Sequence, residues 1–184
     1  MTDKVLEQFD QAATALEGVL AGIKPLQLDD PTPCPEWSVR ELVNHVVGGN
    51  LMFAGIVSGN GPAAPQDHGD DLLGAFRSSF STLREAFAAD GVLERTFQTP
   101  MGERPATRLV TIRVIEMGLH GWDLAKATGQ SFALPEEVVD AALNQLKAML
   151  PADRQGLPYG NEQPAAPDAS PTDRLAAFAG RSLN

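Results

Sequence analysis

ATRLVTIRVIEMGLHGWDLAKAT, residues 106–128, carries the strongest helical signal in the chain. Leu109, Ile112, Leu119, Leu124 and Ala127 fall at helical spacing, no proline interrupts them, and Gly129 stands where a left-handed residue closes a helix. A helix of this length, about 35 Å, spans a small domain and calls for other helices along its flank. Three ionisable residues interrupt its apolar stripe. Glu116 and His120 are four residues apart, so they diverge by about 40° around the axis and lie one turn apart. Asp123 follows His120 by three residues on the same stripe. Such groups on a core-facing stripe are costly unless they are paired or bind a metal.

The flanking sequence supplies the companion helices. Apolar residues at Val5, Phe9, Ala12, Ala13, Leu16, Val19, Leu20 and Ile23 predict a helix from Thr2 to about Ile23. Pro25, Pro31, Pro33 and Pro35 then forbid a regular helix and imply an ordered connector anchored by Trp37. Ser38-Val39-Arg40-Glu41 is a capping box, opening a helix that runs to about Val57. A Gly-rich polar loop follows to Asp70, and Leu72, Leu73, Phe76, Phe80, Leu83 and Phe87 predict a third helix. Between Asp90 and Pro105 the pattern suits an irregular link or a short hairpin turning around Met101-Gly102-Glu103. Beyond the long fourth helix, Pro135 opens a fifth over Glu136–Leu150, a Pro-rich stretch covers residues 151–171, and Ser170-Pro171-Thr172-Asp173 starts a last short helix to Ala179. The expected architecture is all-α: an up-and-down four-helix bundle with accessory short helices and a Pro-rich C-terminal segment, forming one domain over 1–184 in which 151–184 wraps the bundle.

Composition narrows the partners. A formal net charge of −10 opposes nucleic-acid backbones and anionic headgroups. No apolar run is long enough for a membrane span and no leader pattern opens the chain, so a cytoplasmic protein is expected. The single cysteine, Cys34, excludes an internal disulfide and a Cys-rich zinc site, so any metal would be held by histidine and carboxylate. Of the three histidines, His45 lies inside the second helix on a stripe with Leu42, Gly49 and Met52, whereas His68 lies in a polar loop. His45 is therefore the better partner for Glu116 and His120. Two histidines and a carboxylate suit zinc with an open position, and equally a non-haem ferrous ion. The plainer alternative is a hydrogen-bonded core histidine and an ordinary i,i+4 helical pair.

The string Thr32-Pro33-Cys34-Pro35-Glu36-Trp37-Ser38-Val39-Arg40-Glu41-Leu42-Val43-Asn44-His45 resembles the opening of the mycothiol-dependent maleylpyruvate isomerase metal-binding domain family, part of the DinB-like superfamily. Glu116-Met117-Gly118-Leu119-His120-Gly121-Trp122-Asp123-Leu124-Ala125 resembles its second motif. The ending from Ser170 to Arg181 looks like the single-domain actinobacterial branch. The resemblance implies a DinB-like four-helix bundle, a divalent ion, zinc foremost, on His45, Glu116 and His120, and mycothiol or a similar small thiol as cofactor in an isomerase or transferase reaction. The isomerase carries a further C-terminal domain, whereas this sequence closes on a Pro-rich stretch and a short helix, which makes the thiol a firmer expectation than maleylpyruvate.

The competing reading is a non-catalytic protein that binds a small ligand or holds a structural metal. Asp123 divides the two, as a fourth ligand in the structural case or as the carboxylate orienting His120 in the catalytic one. Arg113, one turn before Glu116, either meets an anionic substrate or pairs with Glu116 or Asp123. Cys34 reads as a small buried hydrophobe, Trp37 and Trp122 as packing residues, and Gly118 and Gly121 as marks of close packing or ligand approach. A small-molecule thiol and its substrate are the expected partners, and a homodimer is compatible with this reading.

Overall fold

The computed structural model describes residues 2–61, 67–100 and 102–183. Its long helices are α1 (Thr2–Gly22), α2 (Val39–Ser58), α3 (Leu72–Ala88) and α4 (Ala106–Thr128). Their apolar stripes meet in one continuous core that includes Phe9, Leu16, Leu42, Phe76, Leu83, Leu109, Ile115 and Met117. Helix α1 packs on α3 and α4, and α2 packs on the same two, so the order around the bundle is α1, α3, α2, α4. Helix α1 therefore faces α2, and α3 faces α4, across a diagonal, and the connectors within these two pairs are correspondingly long, whereas α2 and α3 lie side by side.

The first connector contains a 3-10 turn at Pro25–Gln27 and an isolated antiparallel bridge between Pro31 and Ser38. The Thr32 hydroxyl oxygen lies 2.8 Å from the Trp37 carbonyl and accepts the Cys34 N–H at 3.1 Å. These contacts satisfy backbone that the prolines keep out of a helix. Ser38 caps α2 by accepting from Glu41 N–H while Glu41 accepts from Ser38 N–H, the reciprocal box expected from the sequence. The second connector holds the hairpin of β1 (Thr96–Thr99) and β2 (Gly102–Pro105), paired from Thr96 with Pro105 to Thr99 with Gly102. Met101 of the expected turn, and residues 62–66 of the loop after α2, lie outside the described residues.

Helix α5 (Glu136–Met149) packs on α4, and α6 (Pro171–Phe178) packs on both α4 and α5. The glycines of α4 make this contact close. A Cβ on Gly121 would lie 2.5 Å from the Phe132 ring, and one on Gly118 would lie 3.0 Å from Leu134. Between α5 and α6 the chain runs without regular structure, and Tyr159 within it reaches Glu116 midway along α4. Among the described residues no helix is long and apolar enough to cross a membrane.

Candidate metal centre

Adjacency of α2 and α4 brings His45 against the Glu116–His120 face. Glu116 Oε2 lies 3.3 Å from His45 Nε2 and 3.2 Å from His120 Nε2. The two imidazoles meet edge to face with centroids 5.1 Å apart. One donor atom from each of the three residues falls within 4.8 Å of the others. Trp37, delivered by the proline-rich connector, stacks on His45 at 4.3 Å and presents its edge to His120 at 5.9 Å. His68 makes its backbone contact to Asn44 Oδ1 in the loop and stays away from this cluster.

Asp123 is fully buried on the opposite side of the His120 ring, with Oδ2 3.2 Å from Nδ1. A carboxylate only accepts, so both ring nitrogens donate, Nδ1 to Asp123 and Nε2 to Glu116. Arg181 donates to Asp123 through Nε and Nη2 at 3.3 and 3.0 Å, and the Cys34 thiol donates to Oδ2 at 3.2 Å. Glu116 Oε1 accepts the Tyr159 hydroxyl at 3.3 Å.

The electrostatics follow from these contacts. Burial works against ionisation of Glu116, yet hydrogen bonds from His120 and His45 hold its carboxyl well below the usual range. Burial would likewise neutralise His120, but its contacts to Asp123, Cys34 and Glu116 hold its pKa well above the ordinary value. Desolvation and the neighbouring Glu116 charge push the Tyr159 phenol upward, so it remains a donor.

A cavity of about 870 Å³ opens over the cluster. Cys34, Trp37, His45, Glu116 and His120 line it together with Tyr159 and Arg181 from the segment after α5. The volume suits a small organic molecule.

Arg113 is not brought to this cavity. It is 2% exposed, and Nη2 donates to the Val46 carbonyl and to Asn50 Oδ1, each at 3.0 Å. Asn50 in turn donates to Ser79. A Cβ on Gly49 would collide with the Arg113 guanidinium, so Gly49 makes room for a cross-brace between α4 and α2. Its hydrogen bonds go to α2, and its charge reaches Glu116 through space, helping to lower that carboxyl. Two contributors were missed from sequence, Tyr159 and Arg181; both stand in the segment after α5, where no helical period links them to α4. Cys34, read as an inert hydrophobe, stands at the cavity wall in contact with Asp123.

The described mycothiol maleylpyruvate isomerase N-terminal domain family matches the chain over residues 9–125. An uncharacterized protein of Mycobacterium tuberculosis is 37% identical over 180 residues, 97% of this chain and 98% of its own, and a second strain of that organism carries a protein equally similar. The crystal structure of the mycothiol-dependent maleylpyruvate isomerase shares the fold with a TM-score of 0.64 at 15% identity, over 77% of this chain and 67% of that one. A histidine-to-alanine mutant of that isomerase aligns at a TM-score of 0.66 and 14% identity, over 87% of this chain and 74% of its own. Spanning the bundle from α1 through most of α4, both motifs included, the match shows that the chain belongs to the mycothiol maleylpyruvate isomerase N-terminal domain family.

Proposed function

We propose that this protein holds one divalent metal ion, zinc foremost, through His45, Glu116 and His120, and that it acts as an isomerase or transferase using mycothiol or another low-molecular-weight thiol. The observation that carries the reading is the convergence of two imidazole nitrogens and one carboxylate oxygen, all within 4.8 Å, on the wall of an open cavity. The donor set fits the ion: three protein ligands with one side left to solvent is the arrangement of catalytic zinc. When bound there, the ion would supply Lewis acidity and hold a thiol as its thiolate.

The chain's own residues orient and enclose. Asp123 fixes the ring of His120 from behind, the second layer of support that metal-ligating histidines need. Trp37 fixes the plane of His45. A structural ion would require a fourth protein ligand, but Asp123 lies behind the His120 ring and is engaged by Arg181. Residues 151–184 belong to the same unit in this reading, since their segment walls the cavity.

Elemental analysis of the purified protein, with cobalt substitution and titration of mycothiol, tests the proposal. The expected result is about one metal per chain, lost in His45→Ala, and a cobalt spectrum that changes on adding the thiol. Full metal content in His45→Ala would overturn the ligand assignment. An unchanged cobalt spectrum at saturating thiol would overturn the thiol chemistry alone.

A further inference from the structure

Both carboxylates of the site are gripped from outside the bundle. The Tyr159 hydroxyl donates to Glu116 Oε1, which leaves Oε2 between the two imidazoles. Arg181 forks onto Asp123, one nitrogen on each oxygen. Tyr159 and Arg181 come from the segment that follows α5, beyond residue 125 where the family match stops.

That segment is braced to deliver them. Arg154, 6% exposed, donates to the carbonyls of Pro151, Gly160 and Phe178, and its guanidinium lies 4.4 Å from the centre of the Phe178 ring. Gly180 has φ of 95°, and a Cβ there would fall 2.5 Å from Gly160 Cα, so the two limbs of the segment touch backbone to backbone. Trp122 of α4 donates to Asp173 and ties α6 to the bundle. Tyr159 and Arg181 are thus presented from a fixed support.

Each contact restricts what its carboxylate can do. With Oε1 held by the phenol, Glu116 can offer only Oε2 to the cavity side. The planar guanidinium fork sets the plane of Asp123 and compensates its charge, so Asp123 acts on the His120 ring. Resting on the assignment of His45, Glu116 and His120 as ligands, we propose that Tyr159 and Arg181 are positioning residues of the metal centre: Tyr159 through Glu116, and Arg181 through Asp123 and His120. The C-terminal segment would then complete the coordination environment.

Zinc affinity by chelator competition and the visible spectrum of the cobalt form, measured on the full chain as Tyr159→Phe, Arg181→Ala and Arg181→Lys, test this. Outer partners of metal ligands typically contribute 10–100-fold in affinity. Tyr159→Phe and Arg181→Ala should weaken zinc by about that factor and shift the cobalt bands. Arg181→Lys, which keeps the charge without the fork, should recover part of the loss. The melting temperature of the metal-free variants separates positioning from general support, because Tyr159→Phe removes only a hydroxyl and should leave it close to the parent. Parental affinity and spectrum in both Tyr159→Phe and Arg181→Ala would overturn the proposal while leaving the ligands in place. A parent protein that binds neither zinc nor cobalt would overturn the ligand assignment and this proposal with it.

Discussion

The two nitrogens of His120 have different partners, Glu116 on one side and Asp123 on the other, and the division of labour on α4 follows from that. Asp123→Asn should keep the metal stoichiometry but weaken affinity by roughly 10–100-fold, read by chelator competition, because the three proposed ligands remain while their orientation loosens. Arg113→Met tests the opposite kind of residue. It removes hydrogen bonds from a buried cation to Val46 and Asn50, so denaturant unfolding should show a loss of about 2 kcal/mol with metal content unchanged. Glu116, His120 and Asp123 were legible because a helix converts spacings of three and four into proximity. Arg181 and Tyr159 were not, because they reach α4 across 58 and 43 residues from a segment with no period to project. Arg113 shows the same limit: its distance from Glu116 was readable, but the cross-brace to Asn50 on another helix was not.

Helix α6 is short, and its placement depends on its first turn. Ser170 caps it by accepting the Asp173 N–H, and the Asp173 carboxylate accepts from both Ser170 and the Trp122 indole. Partial burial works against the charged form, but those two hydrogen bonds hold the Asp173 carboxyl below its usual 3.8. A depressed folded-state value means a contribution that is complete above the unfolded value and fades as pH falls through the folded one. Asp173→Asn should therefore cost about 1 kcal/mol near neutrality, and the gap from the parent should close as the pH drops below about 3.8, followed by urea unfolding across pH. Gly121→Ala addresses the packing of α4 against the link to α5. The added methyl would meet the rigid Phe132 ring at 2.5 Å, so a loss of about 1–3 kcal/mol is expected from the same measurement. Helix ends were readable from local chemistry, as the Ser38 box and Gly129 show, because a cap is settled within four or five residues.

At the scale of the whole chain, the sequence announced four long helices and left their order around the axis open, since periodicity says which face is buried and nothing about the neighbour that covers it. The order α1, α3, α2, α4 is what puts His45 opposite Glu116. The proposed ligand set is divided between two helices, so metal binding there would be tied to global stability. With free zinc at about 100 times its dissociation constant the folded state should gain about 2.7 kcal/mol, a rise of roughly 5–10 °C in the melting temperature that excess chelator reverses, checked by calorimetry. The chain has two tryptophans, and they occupy separate stations. Trp37 lies flat against His45, while Trp122, 4% exposed, is hydrogen-bonded to Asp173. The molecule thereby carries its own pair of optical probes. Emission from Trp37 will register changes at the proposed metal centre, that from Trp122 will register whether α6 is seated, and Trp37→Phe and Trp122→Phe will separate the two signals without any attached dye.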